Sequence, residues 1–505
     1  MIDSKSEWFA ETTSVFKQVL DQVALNLNAI HHVEYSTRYW NIFAGAWLQQ
    51  FVDMVMVRLH DEEQMYEVLA ARLESHPANS LREFNQWAKT SIFIESINAD
   101  VLTQMKALPQ SGIYSASINE IQALQDKKKM LGRTFATATY LPRRTEVLLQ
   151  LRLGRLPHSL NVSKVPNSIF SQQMRTLICR KNALLSNNAE IVLALLPKYM
   201  PSVYLEGFQT LFETSKPWKS KRHPKTIFTA NRHLYDDVFN FWTALAVESG
   251  SRLVLAQHGG NYGISEFPSF AERHECLVAD RYITWGWKTE GPTYAGFALP
   301  LTRRTLHSSR PEGSLLVVTD QLWKYPRSIF SDMSESSTYL DHLKSTINGL
   351  QPEIRHNALL RIHHAHQDAA SSQIDWWKLH VPDIKQDLGD IDFQTRLNES
   401  RLLLIAHNGT SIPEAIALNA PTIITWSDSY MKVRKSAEPV FDALEAAGVF
   451  HRTPESAASF INLIWNDVDS WWNSPVTIEA RKQFTDQYAR TVPNPVRFLT
   501  KALQF

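Results

Sequence analysis

Leu253-Val254-Leu255-Ala256-Gln257-His258-Gly259-Gly260-Asn261-Tyr262-Gly263 is a short apolar run that drops into a loop with three glycines in five positions. A continuous apolar run of this length suits a strand buried on both faces, the kind found in parallel sheets. Upstream, Thr226-Ile227-Phe228-Thr229 follows the turn-like Arg222-His223-Pro224, and a helical stretch from about Tyr235 to Glu248 stops at Gly250. Downstream, Arg281-Tyr282-Ile283-Thr284 reads as the next strand. Strand, helix and strand in that order need a crossover, so the pairing is parallel and the class is α/β.

The same grammar returns after Pro311. Strands at Leu315–Val318, Ala358–Ile362, Leu402–Ile405 and Thr422–Ile424 alternate with helices over 338–350, from Ser411, over 435–446 and over 454–467. Residues 1–160 show only helical spacing, through Phe16, Val19, Leu20, Val23 and Leu27, then Trp47, Phe51, Met54, Val55 and Leu59, then Ile118, Ile121, Leu124 and Met130. The expected organisation is a helical region at 1–160, an N-terminal Rossmann-like acceptor domain at 161–305, and a C-terminal Rossmann-like donor domain at 306–505. The polar linker falls near 300–313, and the last helices are free to fold back. Two Rossmann-like domains facing a cleft, under a mostly helical N-terminal layer, make a GT-B-like plan.

Composition excludes several classes. A chain of 505 residues exceeds one ordinary core. Its 52 Lys and Arg against 51 Asp and Glu leave +1, without the basic excess of a nucleic-acid binder. Cys179 and Cys276 form no CxxC pair, which argues against a disulfide framework or a cysteine zinc site and fits a reducing cytoplasm. The start, MIDSKSEWFAETTS, lacks the charge and apolar core of a signal peptide. No apolar run approaches the roughly 20 residues of a membrane span. The expected location is therefore the cytoplasm. The basic stretch from Lys216 to Lys225 reads as a solvated linker or as a peripheral contact with anionic headgroups of the inner membrane. The 15 tryptophans suit either cores or sugar platforms.

Three segments sit where chemistry is expected. The first is the glycine loop, placed after a strand at the edge where open α/β sheets take their ligands. His258 suits a general base for a hydroxyl, with Gln257, Gly259, Gly260 and Tyr262 as substrate-binding neighbours. A plain glycine turn reads equally well from these residues alone. Asp280, just before a strand, is the second catalytic candidate. Glu272 and Glu275 read as a solvated helix face or as carboxylates that orient the base. Trp285 and Trp287 are core or sugar platform. In the second segment, Asn408-Gly409-Thr410-Ser411 opens a helix carrying Glu414. Free backbone N–H groups there suit a nucleotide's phosphate and Glu414 a sugar hydroxyl, although Ser411 and Glu414 also fit a capping box. The third is Arg361-Ile362-His363-His364-Ala365-His366-Gln367-Asp368. Its spacing matches no common zinc pattern, so Arg361 and His363 are placed on donor phosphate and no metal or resident cofactor is expected.

These residues resemble a family of transferases from bacterial O-antigen and related surface-polysaccharide gene clusters. The resemblance is carried by Ser36-Thr37-Arg38-Tyr39-Trp40-Asn41-Ile42 with Gly45-Ala46-Trp47-Leu48, by Gln257 to Gly263, and by Asp280 to Trp287. The segment from Gly409 to Glu414 is similar to donor elements of GT-B enzymes generally. The resemblance implies a metal-independent GT-B glycosyltransferase with a nucleotide-sugar donor, a CMP-linked ulosonic acid among the candidates. It implies a glycan or lipid-linked glycan acceptor of O antigen, lipopolysaccharide or capsule. Pro421 stands seven residues after Glu414, where several retaining enzymes carry a second Glu, so retention or inversion stays open. A polyol-phosphate transferase and a non-catalytic sugar-nucleotide-binding protein are the alternatives.

Overall fold

The computed structural model describes residues 5–60, 80–81, 133–157, 165, 168–215, 223–302, 304–320, 333–362 and 367–504. The expected helix through Ile118 and Met130, basic residues 216–222, and His363, His364 and His366 lie outside the described residues.

Among the described residues, eleven strands form two sheets in which every pairing is parallel. The first holds β1 (Thr134–Ala136), β2 (Thr226–Thr229), β3 (Arg252–Ala256), β4 (Arg281–Thr284) and β5 (Thr293–Ala295), side by side in that order. The second holds β6 (Ser314–Val318), β7 (Ala358–Arg361), β8 (Lys385–Asp387), β9 (Ser400–Ile405), β10 (Thr422–Thr425) and β11 (Phe450–His451), in the order β11-β10-β9-β6-β7-β8. The protein is thus α/β, with two Rossmann-like units, each built on one parallel sheet.

Side chains alternate across each strand, so both faces of the first sheet need cover. Ile227, Leu253 and Leu255 join the core beneath helices Thr37–His60 and Asp237–Glu248. Phe228, Val254 and Ala256 join a second core with Leu149, Leu499 and Leu503. That second core is closed by helix Arg143–Arg152 and, from the far end of the chain, helix Pro495–Ala502. Arg281 Nη1 donates to Ala502 O at 2.6 Å, fixing the returning helix to the first sheet.

The boundary expected at residue 160 needs correction. β1 comes from inside the region read as mostly helical, and helix Thr37–His60 packs directly on Asp237–Glu248 and Phe270–Val278. Residues 5–60 and 134–152 are the outer strand and covering layer of the first unit. A strand of three residues is too short to display a period of two, which is why its pattern did not reveal it.

The order of connection in the second sheet reverses between the parallel neighbours β6 and β9, where the register sets Val318 beside Ile405. Thr319-Asp320 and Ala406 to Thr410 therefore emerge together at a topological switch point, the place where such sheets take ligands. Among the described residues, no helix is long and apolar enough to cross a membrane.

Candidate active site at the seam between the sheets

A cavity of about 520 Å³ opens at that switch point and faces the first unit. Gly259, Gly260 and Asn261 line it from one side, and Asp320, Asn408, Gly409 and Thr410 from the other. The two units meet backbone to backbone beside it. The Gly260 N–H donates to Thr410 Oγ1 at 3.2 Å, and Asn408 Nδ2 donates to Ser265 Oγ at 2.9 Å. Ser265 also pairs with Val433 in an antiparallel bridge. Buried Glu272 accepts from Arg434 Nη2 at 2.9 Å across the seam. A Cβ on Gly260 would sit 2.5 Å from Gly409 O and 2.6 Å from Thr410 Cα. Glycine is thus required there by close approach rather than by a turn.

Behind the loop lies a buried cluster. Ser269 caps helix Phe270–Val278 by accepting from the Glu272 N–H, and the inward stripe of that helix is Ala271, His274, Glu275 and Val278. Glu275 is fully buried, with Oε1 2.9 Å from His233 Nε2 and 3.4 Å from His258 Nδ1. The Tyr262 hydroxyl lies 3.2 Å from His258 Nε2, and the Tyr140 ring stands edge-on at 6.3 Å. His258 is the partly open member, with its side chain 18% exposed.

Burial sets the charge of this cluster. It pushes the Glu275 carboxyl up to about 8, drawn back in part by His258. It lowers His258, with Glu275 opposing and His233 adding to the fall, and drives His233 and His274 down to about 3. Near neutral pH the cluster therefore carries neutral imidazoles beside a protonated carboxyl. Ionising Glu275 gives His258 Nδ1–H a carboxylate acceptor and makes its other nitrogen a stronger base. The expected outcome is a kcat/KM that climbs as pH rises toward 8, and loss of that limb in Glu275→Gln, read from pH–rate profiles. Stability should run the other way for this group. Its folded value lies above the ordinary 4.5, so its contribution is whole below that and is lost as pH rises through 8. For His233 and His274 the folded value lies below 6.5, so their contribution is whole above 6.5 and is lost as pH falls toward 3.

The sequence candidates divide on this geometry. Gly259 and Gly260 stand at the seam, as do Asn408, Gly409 and Thr410, while His258 precedes them in the loop and does not itself line the cavity. Gln257 is not free to bind substrate. It is fully buried, its Nε2 donates to Gly259 O, and its Oε1 accepts from Trp285 N–H and Trp287 Nε1, both at 2.8 Å. Trp285 and Trp287, 0% and 3% exposed, are core residues that clamp Gln257 and so fix the loop; they are not a sugar platform. Tyr262 is likewise buried. Asp280 lies at the amino end of β4, the sheet edge opposite His258, where it accepts from Leu253 N–H at 2.7 Å and pairs with Arg38 at 2.9 Å. It is a structural residue.

Arg361 is paired with Asp387 at 2.7 Å and does not line the cavity. The helix after Thr410 spans only seven residues, and the Thr410 side chain makes no capping bond. Thr410 Oγ1 accepts from Gly260 N–H and keeps its own O–H to donate into the cavity, while Ser411 Oγ lies 3.1 Å from His407 Nε2 and does not line the cavity. Glu414 faces away from this cavity. Burial raises its carboxyl, Arg304 opposes, and its charge acts on Tyr140.

Sequence reasoning missed His233 and the burial of Glu275. His233 follows the carboxyl end of β2 as His258 follows β3, so the same strand-end rule identifies it.

A profile of the LIC12162 family of transferases matches residues 3–107 and 83–503, nearly the whole chain. The chain belongs to the LIC12162 transferase family. A search of curated proteins finds no match. Among solved structures, this LIC12162 family member is similar to Staphylococcus aureus MnaA solved with UDP, at 11% identity over 72% of this chain and 91% of that one, TM-score 0.37. It is similar to WaaG, a glycosyltransferase involved in lipopolysaccharide biosynthesis, at 11% identity over 73% and 98%, TM-score 0.34. It is also similar to the wall teichoic acid polymerase TagF, at 9% identity over 77% and 94%, TM-score 0.30.

Proposed function

We propose that this transferase moves a glycosyl group from a nucleotide-sugar donor, held in the seam cavity, to a hydroxyl of a growing surface glycan. The observation that supports this best is the position of His258. It stands at the carboxyl end of β3, beside the glycines that line the cavity, with its imidazole kept neutral by burial. In the proposed step the acceptor oxygen bonds to the anomeric carbon and its proton passes to the imidazole. The bond from that carbon to the nucleotide phosphate breaks, and the nucleotide leaves with the electron pair. Asp320, Asn261 and Asn408 supply acceptors and donors for sugar or ribose hydroxyls, while Gly259 and Gly409 let the donor approach the backbone. The nucleotide sugar is substrate, and no resident cofactor enters the scheme. A CMP-linked ulosonic acid and a glycan of the O-antigen or capsule type fit the reading, with transfer on the cytoplasmic side of the inner membrane.

A thermal-shift panel of CMP-, UDP-, GDP- and dTDP-linked sugars tests the donor. One nucleotide class is expected to raise the melting temperature, about 2.7 kcal/mol of stabilisation at a hundredfold excess over Kd. No shift with any member would remove the donor reading.

A further inference from the structure

Tyr140, whose ring stands 6.3 Å from that of His258, lines a second cavity of about 550 Å³. Arg143, Arg144 and Arg304 line it, and no ion pair joins any of the three to a carboxylate of the described residues. The nearest acidic influences are Glu146 on Arg143 and Glu414 on Arg304. Thr145 also lines this cavity. It is 0% exposed, and its Oγ1 has no hydrogen-bond partner among the described residues. Thr302, half-buried, lines the cavity too, and its buried hydroxyl likewise has no hydrogen-bond partner among the described residues. A buried hydroxyl without a partner costs about 1–3 kcal/mol, so two of them beside three guanidinium groups point to a missing acceptor. Helix Arg143–Arg152 opens at this spot with Pro142 as its cap and no capping side chain; Thr145 and Glu146 N–H donate to Pro142 O, which leaves the Arg143 and Arg144 N–H groups without a helix acceptor. The loop leading in holds Ala138 and Tyr140 at φ of 45° and 63°, conformations that side chains larger than glycine seldom take.

We propose that this cavity is an anion subsite that binds a phosphate or diphosphate group of the acceptor and so places its sugar hydroxyl at His258. Planar guanidinium groups suit phosphate oxygens, and the threonine hydroxyls and helix N–H groups supply the remaining donors. Exposed Leu148 and Leu151 stand on the same helix and suit the lipid part of a lipid-linked diphosphate. The acceptor role rests on the transfer reading above; the anion site itself does not.

The test is isothermal titration of the full chain with inorganic pyrophosphate, farnesyl diphosphate and UDP. Arg143→Gln/Arg144→Gln is expected to weaken pyrophosphate at least tenfold, and Thr145→Val severalfold, with the ligand-free melting temperature of Thr145→Val unchanged or higher. UDP affinity should stay within twofold in both variants. Tighter binding of farnesyl diphosphate than of pyrophosphate assigns the group to a lipid carrier, and equal binding assigns it to a soluble phosphate; both support the subsite. Pyrophosphate that does not bind, or binds equally to all three proteins, overturns it. Loss of pyrophosphate in the variants with no nucleotide binding anywhere would keep the anion site and sink the donor reading instead.

Discussion

His258→Gln is expected to lower kcat by about 10²–10⁴-fold, the range for removal of a positioned general base. Glutamine keeps a polar group of similar reach but cannot accept a proton. Fold and donor affinity should survive, because the seam cavity is lined by Gly259 and Gly260 rather than by the imidazole. A KM for donor within severalfold of wild type, together with the collapsed kcat, separates lost proton transfer from lost binding. If the carboxyl acts through the imidazole, Glu275→Gln is expected to add no further loss to His258→Gln in the double variant.

Gly260→Ala should be nearly as damaging for a different reason. The added methyl would stand 2.5 Å from Gly409 O, and the obstacle is backbone on both sides, so one unit must move away from the other. A displacement of about 1 Å at a reacting centre can cost about 10²-fold in rate. The neighbouring Gly259→Ala is the control. Its Cβ would meet side chains alone, the Tyr262 ring at 3.1 Å and Asn261 Oδ1 at 3.8 Å, and side chains can give way. Its loss should stay below about tenfold. Steady-state rates of the two alanine variants, with melting temperatures to confirm folding, check the contrast.

Much of the fold was legible because long buried strands announce themselves. Leu253 to Ala256, Arg281 to Thr284 and Leu402 to Ile405 lie within the observed strands, with ends off by at most two residues. β1, β5, β8 and β11, of two or three residues, carry too little sequence to show a period. The site was half legible. His258 and the 408–410 turn stand out in the sequence because each follows a strand, and ligands gather at carboxyl ends. The same rule, applied consistently, removes Asp280: a residue that precedes a parallel strand stands on the opposite edge. Glu272 and Glu275 look solvated at their spacing, yet Ala271 and Val278 mark the inward stripe on which His274 and Glu275 fall. Tertiary packing decided that question. Helix Thr37–His60 brings Gly45 within 3.1 Å of His274 when a Cβ is placed on it, and it pairs Asp53 with Arg273. Of the family-like elements, Gln257, Trp285 and Trp287 hold the glycine loop, while Arg38 pairs with Asp280 and Gly45 packs close to His274.

The central claim, sugar transfer at the seam with His258 as base, is tested most directly by phosphorus NMR of a reaction with the donor nucleotide found in the thermal panel. The account predicts that the wild-type chain releases the free nucleotide as glycan forms, with no new phosphodiester resonance, and that His258→Gln releases it about 10²–10⁴ times more slowly. A new phosphodiester in the polymer, or release at the wild-type rate by His258→Gln, would contradict it.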